Sequence, residues 1–387
     1  MLIKKKINKK PPLKLGFIGG GLSSTIGEAH YVASHLDGRW ELKSGFFSRN
    51  KTINYKTGKN WNIASDRIHH SLDKFISKEA NKLDAVVILT PTPNHFKTIL
   101  NLTKKKIPII CEKPLVDSLE QAKLIQKIIK KTNGFLTVTY NYTGYPMVRE
   151  LRQLVLNGKL GKIKQFHFEM PQAGFMKSNS KPQKWRLKDA KIPVICLDLG
   201  VHLHNLAYFI IGKEPNRVMA NYFNNSKHKK IIDNVLLWLE YKSGIKGSFW
   251  MSKTAIGNRN SLKLRIFGDK GSAEWIQNNS EELNIAFKDG TRKIIDRASK
   301  SLITHKKRYN RYKAGHPAGF MEAFANLYFD IADHLNNFKS KTKNKNLYVF
   351  DIEHSLRGLD LFSSSSKSNK NLSWQTINYS TKESSLK

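Results

Sequence analysis

Two stretches of this chain gather residue types that could work on a polar substrate. The first is Glu112-Lys113-Pro114, which follows the short apolar run Ile109–Cys111. An acid, an amine and a proline at the end of a buried strand do not belong in a core. In an open parallel sheet, ligands sit beyond the carboxyl ends of the strands. Lys113-Pro114 is also a bond at which a cis peptide is cheap, which would turn the lysine into a cleft. A solvated lysine on a surface turn is the plainer reading of the same residues. The second stretch is the apolar segment Val194–Leu206, which carries Asp198 and His202 four positions apart. On a helix that spacing puts both on one face. A carboxylate beside an imidazole orients it and raises its basicity. A core helix with one solvated aspartate is the alternative. His202 and His204 face different ways on a helix and have no third ligand in sight, so no metal site is expected.

These groups need elements to hold them, and the first half of the chain reads as a regular strand–helix alternation. Leu13–Ile18 is β-prone and enters Gly19-Gly-Gly21, then a helical pattern through Ala29 and Leu36. Strand, glycine turn and helix are the context of a dinucleotide fingerprint. Gly19 and Gly21 supply the first two glycines and Gly27 comes late, so the loop is longer than the standard one. Ser23, Ser24 and Thr25 could add donors to a phosphate at the helix N-terminus. A glycine-rich turn with no ligand is the bland alternative. The second strand ends in Ser48-Arg49-Asn50, where an NAD site should carry an acid for the ribose 2′-OH. The missing acid and Arg49 favour NADP modestly over NAD, although Arg49 also reads as one surface cation among many. Asp84–Leu89 is an apolar parallel-sheet strand. It ends in Thr90-Pro91-Thr92-Pro93-Asn94-His95, with Thr92 or Asn94 expected to cap the next helix. His95 is expected on the cofactor side, mainly in a packing role. Ser118-Leu-Glu-Gln121 is a capping box. A fifth strand, Phe135–Tyr140, ends in a polar aromatic loop that includes Tyr142.

Past residue 146 the texture changes. Lys162–Met170, Arg217–Tyr222, Val235–Tyr241, Ile245–Met251, Leu262–Phe267 and Ser272–Ile276 read as strands of an open, largely antiparallel sheet. An apolar helix is expected from Gly315 to about Phe338. Ser363–Lys387 reads as a polar surface tail with a short strand near Trp374. The fold class is therefore α/β: a doubly wound Rossmann domain over 1–146 and an α+β domain with an open, largely antiparallel sheet over 147–387.

Composition narrows the class. The formal charge is +37, and such a basic chain invites a nucleic-acid reading. The lysines are spread over every segment, and no nucleic-acid motif is present, so no nucleic-acid partner is expected. A positive field would attract anions, a dinucleotide included. No run of about 18 apolar residues occurs, so no membrane span is expected. Met1–Pro12 is basic but leads into no secretory h-region. The two cysteines, Cys111 and Cys196, form no CxxC, so no zinc site or disulfide framework is expected. A cytoplasmic location is the default.

With the pieces placed, the chain resembles the glucose–fructose oxidoreductase / inositol dehydrogenase / rhizopine catabolism (Gfo/Idh/MocA) family over about Leu13 to Phe362. The motifs that carry the resemblance are the glycine loop at 19–27, Thr90-Pro91 with His95, and Glu112-Lys113-Pro114. Asp198-x-Gly200-x-His202 and Gly315-His-Pro-x-Gly-Phe with Ala-Phe-Ala-Asn complete the set. The resemblance implies oxidation or reduction of a sugar or polyol with NAD or NADP, and a homodimer or homotetramer built on the C-terminal sheet. Lys113 would bond the reacting oxygen, His202 would be the general acid/base, and Asp198 would orient His202 or bind a neighbouring hydroxyl. Gly19, Gly21, Ser24, Gly27, Ser48, Arg49, Thr90, Pro91, His95 and Glu112 would surround the cofactor. Tyr142, Trp185 and Arg186 would join the catalytic groups at the substrate, which an aromatic plate and a cation would suit if it were acidic. Asn205 stands where many relatives have an Asp, and Thr143 where a charged group is frequent, which bears on substrate identity. An NAD-dependent glycosidase and a non-catalytic dinucleotide sensor are the alternative functions on this fold.

Overall fold

The computed structural model describes residues 11–177, 182–342 and 346–381. The basic N-terminal segment through residue 10 and residues 382–387 of the tail lie outside these ranges. The first half alternates as its apolar runs require. The strand β1 (Leu13–Gly19) leads into α1 (Thr25–His35), and β2 (Trp40–Phe46) into α2 (Lys51–Asn60) and α3 (Leu72–Glu79). Then β3 (Ala85–Leu89) leads into α4 (His95–Lys104), and β4 (Ile109–Glu112) into α5 (Leu119–Thr132), before β5 (Leu136–Thr139). The strands lie in the order β2-β1-β3-β4-β5 and pair in parallel. All of β3 is buried, as a strand covered on both faces must be. Ser24, Asn50, Ser71 and Ser118 cap their helices with side-chain oxygens. The expected cap of α4 is absent. A 3-10 turn over Thr92–Asn94 feeds the helix, and neither side chain caps it.

The second half starts with α6 (Pro146–Leu156) and β6 (Ile163–Pro171) and reaches α7 (Val201–Ile211). The strands β7 (Arg217–Phe223), β8 (Asn234–Glu240), β9 (Lys246–Ser252), β10 (Lys263–Gly268) and β11 (Gly271–Ile276) follow. Two strands that no pattern announced, β12 (Leu283–Phe287) and β13 (Arg292–Ile295), extend the sheet. The chain closes with α8 (Phe320–Lys339), α9 (Ile352–Asn371) and β14 (Gln375–Thr376). The order is β13-β12-β11-β10-β6-β9-β8-β7-β14, antiparallel except for β6 with β9. The expected polar tail from residue 363 is in fact the last part of α9. Ser365 and Ser368 are fully buried there, and Ser368 accepts from the Ala220 N–H of β7. Small hydroxyls let this helix pack closely on the sheet, and hydropathy alone reads them as solvent-facing.

By sequence α8 belongs to the second half, and by packing to the first. Phe324, Leu327, Tyr328, Ile331 and Leu335 share one apolar cluster with Leu15, Phe17, Val87 and Ile110 of the first sheet. Each such side chain contributes roughly 1.5–3 kcal/mol on burial. Trp40 Nε1 donates to the Tyr328 carbonyl at 2.9 Å, so β2 and α8 are also joined through polar atoms. The opposite face of the sheet is covered by α4 and α5, with Ile99, Leu102 and Ile125 in the larger core.

Candidate active site

The loop between β1 and α1 is built for close approach. Gly19 and Gly20 have φ of +85° and +75°, a region that favours glycine. A Cβ on Gly27 would lie 1.9 Å from the Gly20 carbonyl oxygen. The late glycine therefore lets the first turn of α1 rest on the loop backbone. Gly27 does not line the cavity beside this loop, whereas Gly19, Gly21 and Ser24 do. Gly20, which the spacing argument passed over, lines it as well. Two consecutive positive-φ positions were the signal that could have found it, and only the backbone reveals them.

The cavity has a volume of about 1460 Å³, more than the roughly 300–1,000 Å³ of a site for one small molecule. Ser48 and Arg49 border it after β2, and Thr90, Pro91 and His95 after β3. The Thr90 hydroxyl is buried without a hydrogen-bond partner. His95 is buried between two strand ends. Its Nε2 lies 2.7 Å from the Thr90 carbonyl, and its Nδ1 3.0 Å from that of Pro114. Burial holds its pKa below the ordinary histidine value. The ring is placed to tie the loops after β3 and β4 together.

At the end of β4, Glu112 is buried and held from two elements, one of them braced by a third. His30 Nε2 of α1 is 3.3 Å away, the Thr139 hydroxyl of β5 donates to it, and His30 Nδ1 is 2.6 Å from the Tyr328 hydroxyl of α8. Burial alone would raise this carboxyl. The His30 contact, the nearby Lys113 charge and the Thr139 bond outweigh it and hold the pKa below the ordinary value. The next peptide bond, Lys113–Pro114, is cis. Lys113 lines the cavity and crosses to the second half of the chain. Its Nζ donates to the Asp198 carbonyl at 2.8 Å and stands 3.5 Å from the same residue's Oδ1.

Asp198 sits where the helical reading needed correction. Cys196–Gly200 is a π-helical turn, with the Val201 N–H reaching back to the Cys196 carbonyl. Wide turns of this kind recur at functional sites. The turn is wider than the regular helix expected across Asp198 and His202. Among the described residues no hydrogen bond joins the two side chains, and His202 Nδ1 is buried without a partner. The Asp198 carboxylate instead meets Lys253 Nζ at 2.6 Å and Arg186 Nη1 at 2.9 Å. Burial opposes its ionisation, but Lys253, Lys113 and Arg186 hold its pKa well below the usual carboxylate range. Burial and the Lys113 charge push His202 well below the ordinary histidine value, with Asp198 opposing in part. Gly200 keeps this turn against α9, since a Cβ there would meet the Phe362 ring at 2.6 Å.

Trp185 and Arg186 line the cavity from a 3-10 turn over Lys184–Leu187. Tyr142 and His202 do not line it. Their rings meet edge-on with centroids 4.6 Å apart, and Asn260 Nδ2 donates to the Tyr142 hydroxyl at 2.9 Å. Both side chains are buried. Lys253 was missed by sequence reasoning. It follows β9 as one lysine among many, and nothing local marks it as the partner of Asp198. Among the described residues no cluster of three or more His, Cys, Asp or Glu is placed to hold a metal ion, and no helix is long and apolar enough to cross a membrane.

The chain is similar to known proteins along most of its length. Residues 13–140 match the family model described as the oxidoreductase family, NAD-binding Rossmann fold (GFO/IDH/MocA), and residues 148–274 match the GFO/IDH/MocA C-terminal domain. The oxidoreductase YfiI of Bacillus subtilis is 25% identical over 364 residues, which cover 90% of this chain and 92% of that protein. The scyllo-inositol 2-dehydrogenase (NAD+) of the same organism is 25% identical over 206 residues. That match covers 52% of this chain and 58% of the relative, so the chain spans little more than half of that enzyme. An inositol dehydrogenase homologue of Azotobacter vinelandii, solved with NADH and myo-inositol, superposes with a TM-score of 0.87. It shares 24% identity over 94% of this chain and 97% of that one, which is a likeness of fold.

Proposed function

The chain belongs to the Gfo/Idh/MocA oxidoreductase family. From that premise we propose that it moves a hydride between NAD or NADP and a secondary alcohol of a sugar, inositol or related polyol. One observation carries the reading: a single cavity runs from the glycine loop at Gly19–Gly21 to Lys113 and Asp198. The residues present fit a dinucleotide. Gly19, Gly20 and Gly21 line the cavity with backbone alone, which leaves room for a phosphate to approach the loop. The N-terminus of α1 favours a pyrophosphate, and the unpartnered Thr90 hydroxyl offers a further polar contact. When bound, the nicotinamide supplies the hydride chemistry.

The rest falls to the protein. Lys113 meets the alcohol oxygen and stabilises the negative charge that develops on it, in the manner of an oxyanion donor. His202 is neutral near pH 7 because its pKa is depressed. Lys113 hands one ammonium proton to neutral His202, which does not itself line the cavity, and takes the alcohol proton in its place, so that Lys113 ends cationic and His202 ends protonated. Asp198 positions the Lys113 ammonium. Arg49 beside the cavity, with Ser48 and Asn50 in place of an acid after β2, favours the 2′-phosphate of NADP. The outer face of the second sheet supports self-association. Met219 pairs with Trp238 across β7 and β8, and Trp238 is 56% exposed, as expected of a covered interface patch.

The test is a panel of sugars, inositols and sugar acids followed at 340 nm with NAD and NADP in parallel. Reduced cofactor accumulating with one class of polyol supports the proposal. Release of a free sugar without net reduced cofactor would instead indicate bond-cleaving chemistry. No response across the panel, with cofactor binding demonstrated, would reject an oxidoreductase role.

A further inference from the structure

The charges around Asp198 do not balance. Its carboxylate is shared by Lys253 Nζ at 2.6 Å, Arg186 Nη1 at 2.9 Å and Lys113 Nζ at 3.5 Å. Asp198 retains 16% of its side-chain exposure, Lys113 16% and Lys253 13%. Three cations thus crowd one carboxylate, two of them poorly solvated, where unmatched charge is costly, while Arg186 keeps 34% of its side-chain exposure. Of the neighbouring acids, Asp189 and Glu112 are engaged elsewhere, while Asp117 also lines the cavity. Asp189 accepts from the Val194 and Ile232 N–H groups at 2.8 and 2.7 Å. Glu112 is held by His30 and Thr139. Gln172 accepts from Lys253 at 2.7 Å but brings no charge.

The excess opens toward the cavity. Lys113 and Arg186 both line it, and Lys253 does not. Among the described residues, Asp198 is the only side-chain anion paired with the Arg186 guanidinium, which packs 4.5 Å over the Trp185 ring. That stacking fixes the plane of a fork suited to two oxygens of one anionic group. A neutral polyol would leave the excess unanswered.

We infer that the substrate is an anion, a sugar or polyol bearing a carboxylate or phosphate, whose charged group seats on Arg186 while its reacting hydroxyl reaches Lys113. The inference rests on the oxidoreductase reading above. Lys253 acts here as a positioning residue. It holds Asp198 from the side away from the cavity and keeps that carboxylate from cancelling Arg186 and Lys113 completely. The shared chemistry is the anionic oxygen group, and its two sources separate by experiment.

The experiment uses the full chain saturated with NADH for calorimetric binding, and with NAD or NADP for turnover. The probes are matched pairs: D-gluconate against D-glucitol for the carboxylate, and glucose 6-phosphate against glucose for the phosphate. One anionic member should bind about 10- to 100-fold more tightly than its neutral partner, the range of a hydrogen bond to a charged group. That preference should weaken as sodium chloride rises, because salt screens it. Arg186→Gln should reduce the ratio to threefold or less, and Arg186→Lys should restore part of it. Lys253→Gln should shift the ratio and the salt slope, with thermal unfolding run alongside to show that the variant folds. Equal binding of charged and neutral partners, or a preference unchanged in Arg186→Gln, overturns the inference. Preferential binding of an anion with no turnover of any probe would leave the anion seat standing and remove the oxidoreductase reading.

Discussion

Lys113 Nζ donates to the main-chain oxygen of Asp198 at 2.8 Å, so a side chain from the first sheet is fixed by the backbone of a π-helical turn in the second half. The aim of the ammonium does not depend on the Asp198 side chain alone. Replacing Lys113 by Met should lower kcat by about 10²–10³-fold, the usual cost of one oxyanion donor, with cofactor affinity changed by less than about threefold. Steady-state kinetics and a fluorescence titration with NADH check the two halves of this statement. A variant that retains full kcat would mean that Lys113 does not touch the reacting oxygen.

His202 gives a pH signature. A general base works only in its neutral form. Burial and Lys113 depress its pKa well below the ordinary value, so the neutral form persists as the pH falls. The expected profile of kcat/KM is flat through pH 7 and declines only on the acid side of 6.5. His202→Asn should remove that acid limb and lower kcat by about 10²–10⁴-fold. A limb that survives the substitution would belong to another group.

Arg49 separates the two cofactors. Arg49→Glu places an acid after β2, where a carboxylate takes the ribose 2′-OH and repels a 2′-phosphate. The ratio of kcat/KM for NADP to that for NAD should fall at least about tenfold, by the cost of one lost charge-assisted contact. An unchanged ratio would show that Arg49 is only a surface cation.

Gly27→Ala tests the loop. Its methyl would meet the Gly20 carbonyl oxygen at 1.9 Å, so loop and helix must separate. The expected loss is about 1–3 kcal/mol of stability, together with weaker dinucleotide binding. Thermal unfolding with and without cofactor measures both effects.

Arg149 and Asp330 form a buried pair at 2.7 Å, with side chains 0% and 2% exposed. Arg149 lies on α6 and Asp330 on α8. Arg149→Met strands a buried carboxylate, although Arg308 still reaches it, and should cost about 3–5 kcal/mol. Urea unfolding gives the value. A loss below 1 kcal/mol would show that Arg308 suffices.

Much of the first half was legible in the sequence because β1 runs into a glycine turn and β3 and most of β4 are short apolar runs that end in polar residues or proline. The strand end at Glu112-Lys113-Pro114 could be singled out because an acid and an amine directly follow a wholly apolar run. The second half was harder to read. Ser365 and Ser368 look solvated until β7 is laid against them. A π turn leaves the apolar pattern of Val194–Leu206 intact while redirecting Asp198. Lys253 could not be singled out in so basic a chain, since its importance lies in a contact with a residue 55 positions away. Burial of His202 and Tyr142 beneath the cavity wall was likewise a matter of tertiary depth, which spacing does not encode.

The packing of α8 on the first sheet has a consequence for how the protein comes to be. A ribosome completes β5 long before it reaches Phe320. At about 5–20 residues per second, the intervening chain takes roughly 10–40 s to make. Through that interval Leu15, Phe17 and Val87 have only first-half partners such as Ala33 and Trp61, and the apolar surface that Phe324, Leu327, Tyr328 and Ile331 will cover stays open to the cell. A nascent chain of this kind is a natural client for holding chaperones, and a fragment that stops at residue 146 should precipitate for want of a helix encoded nearly two hundred codons later.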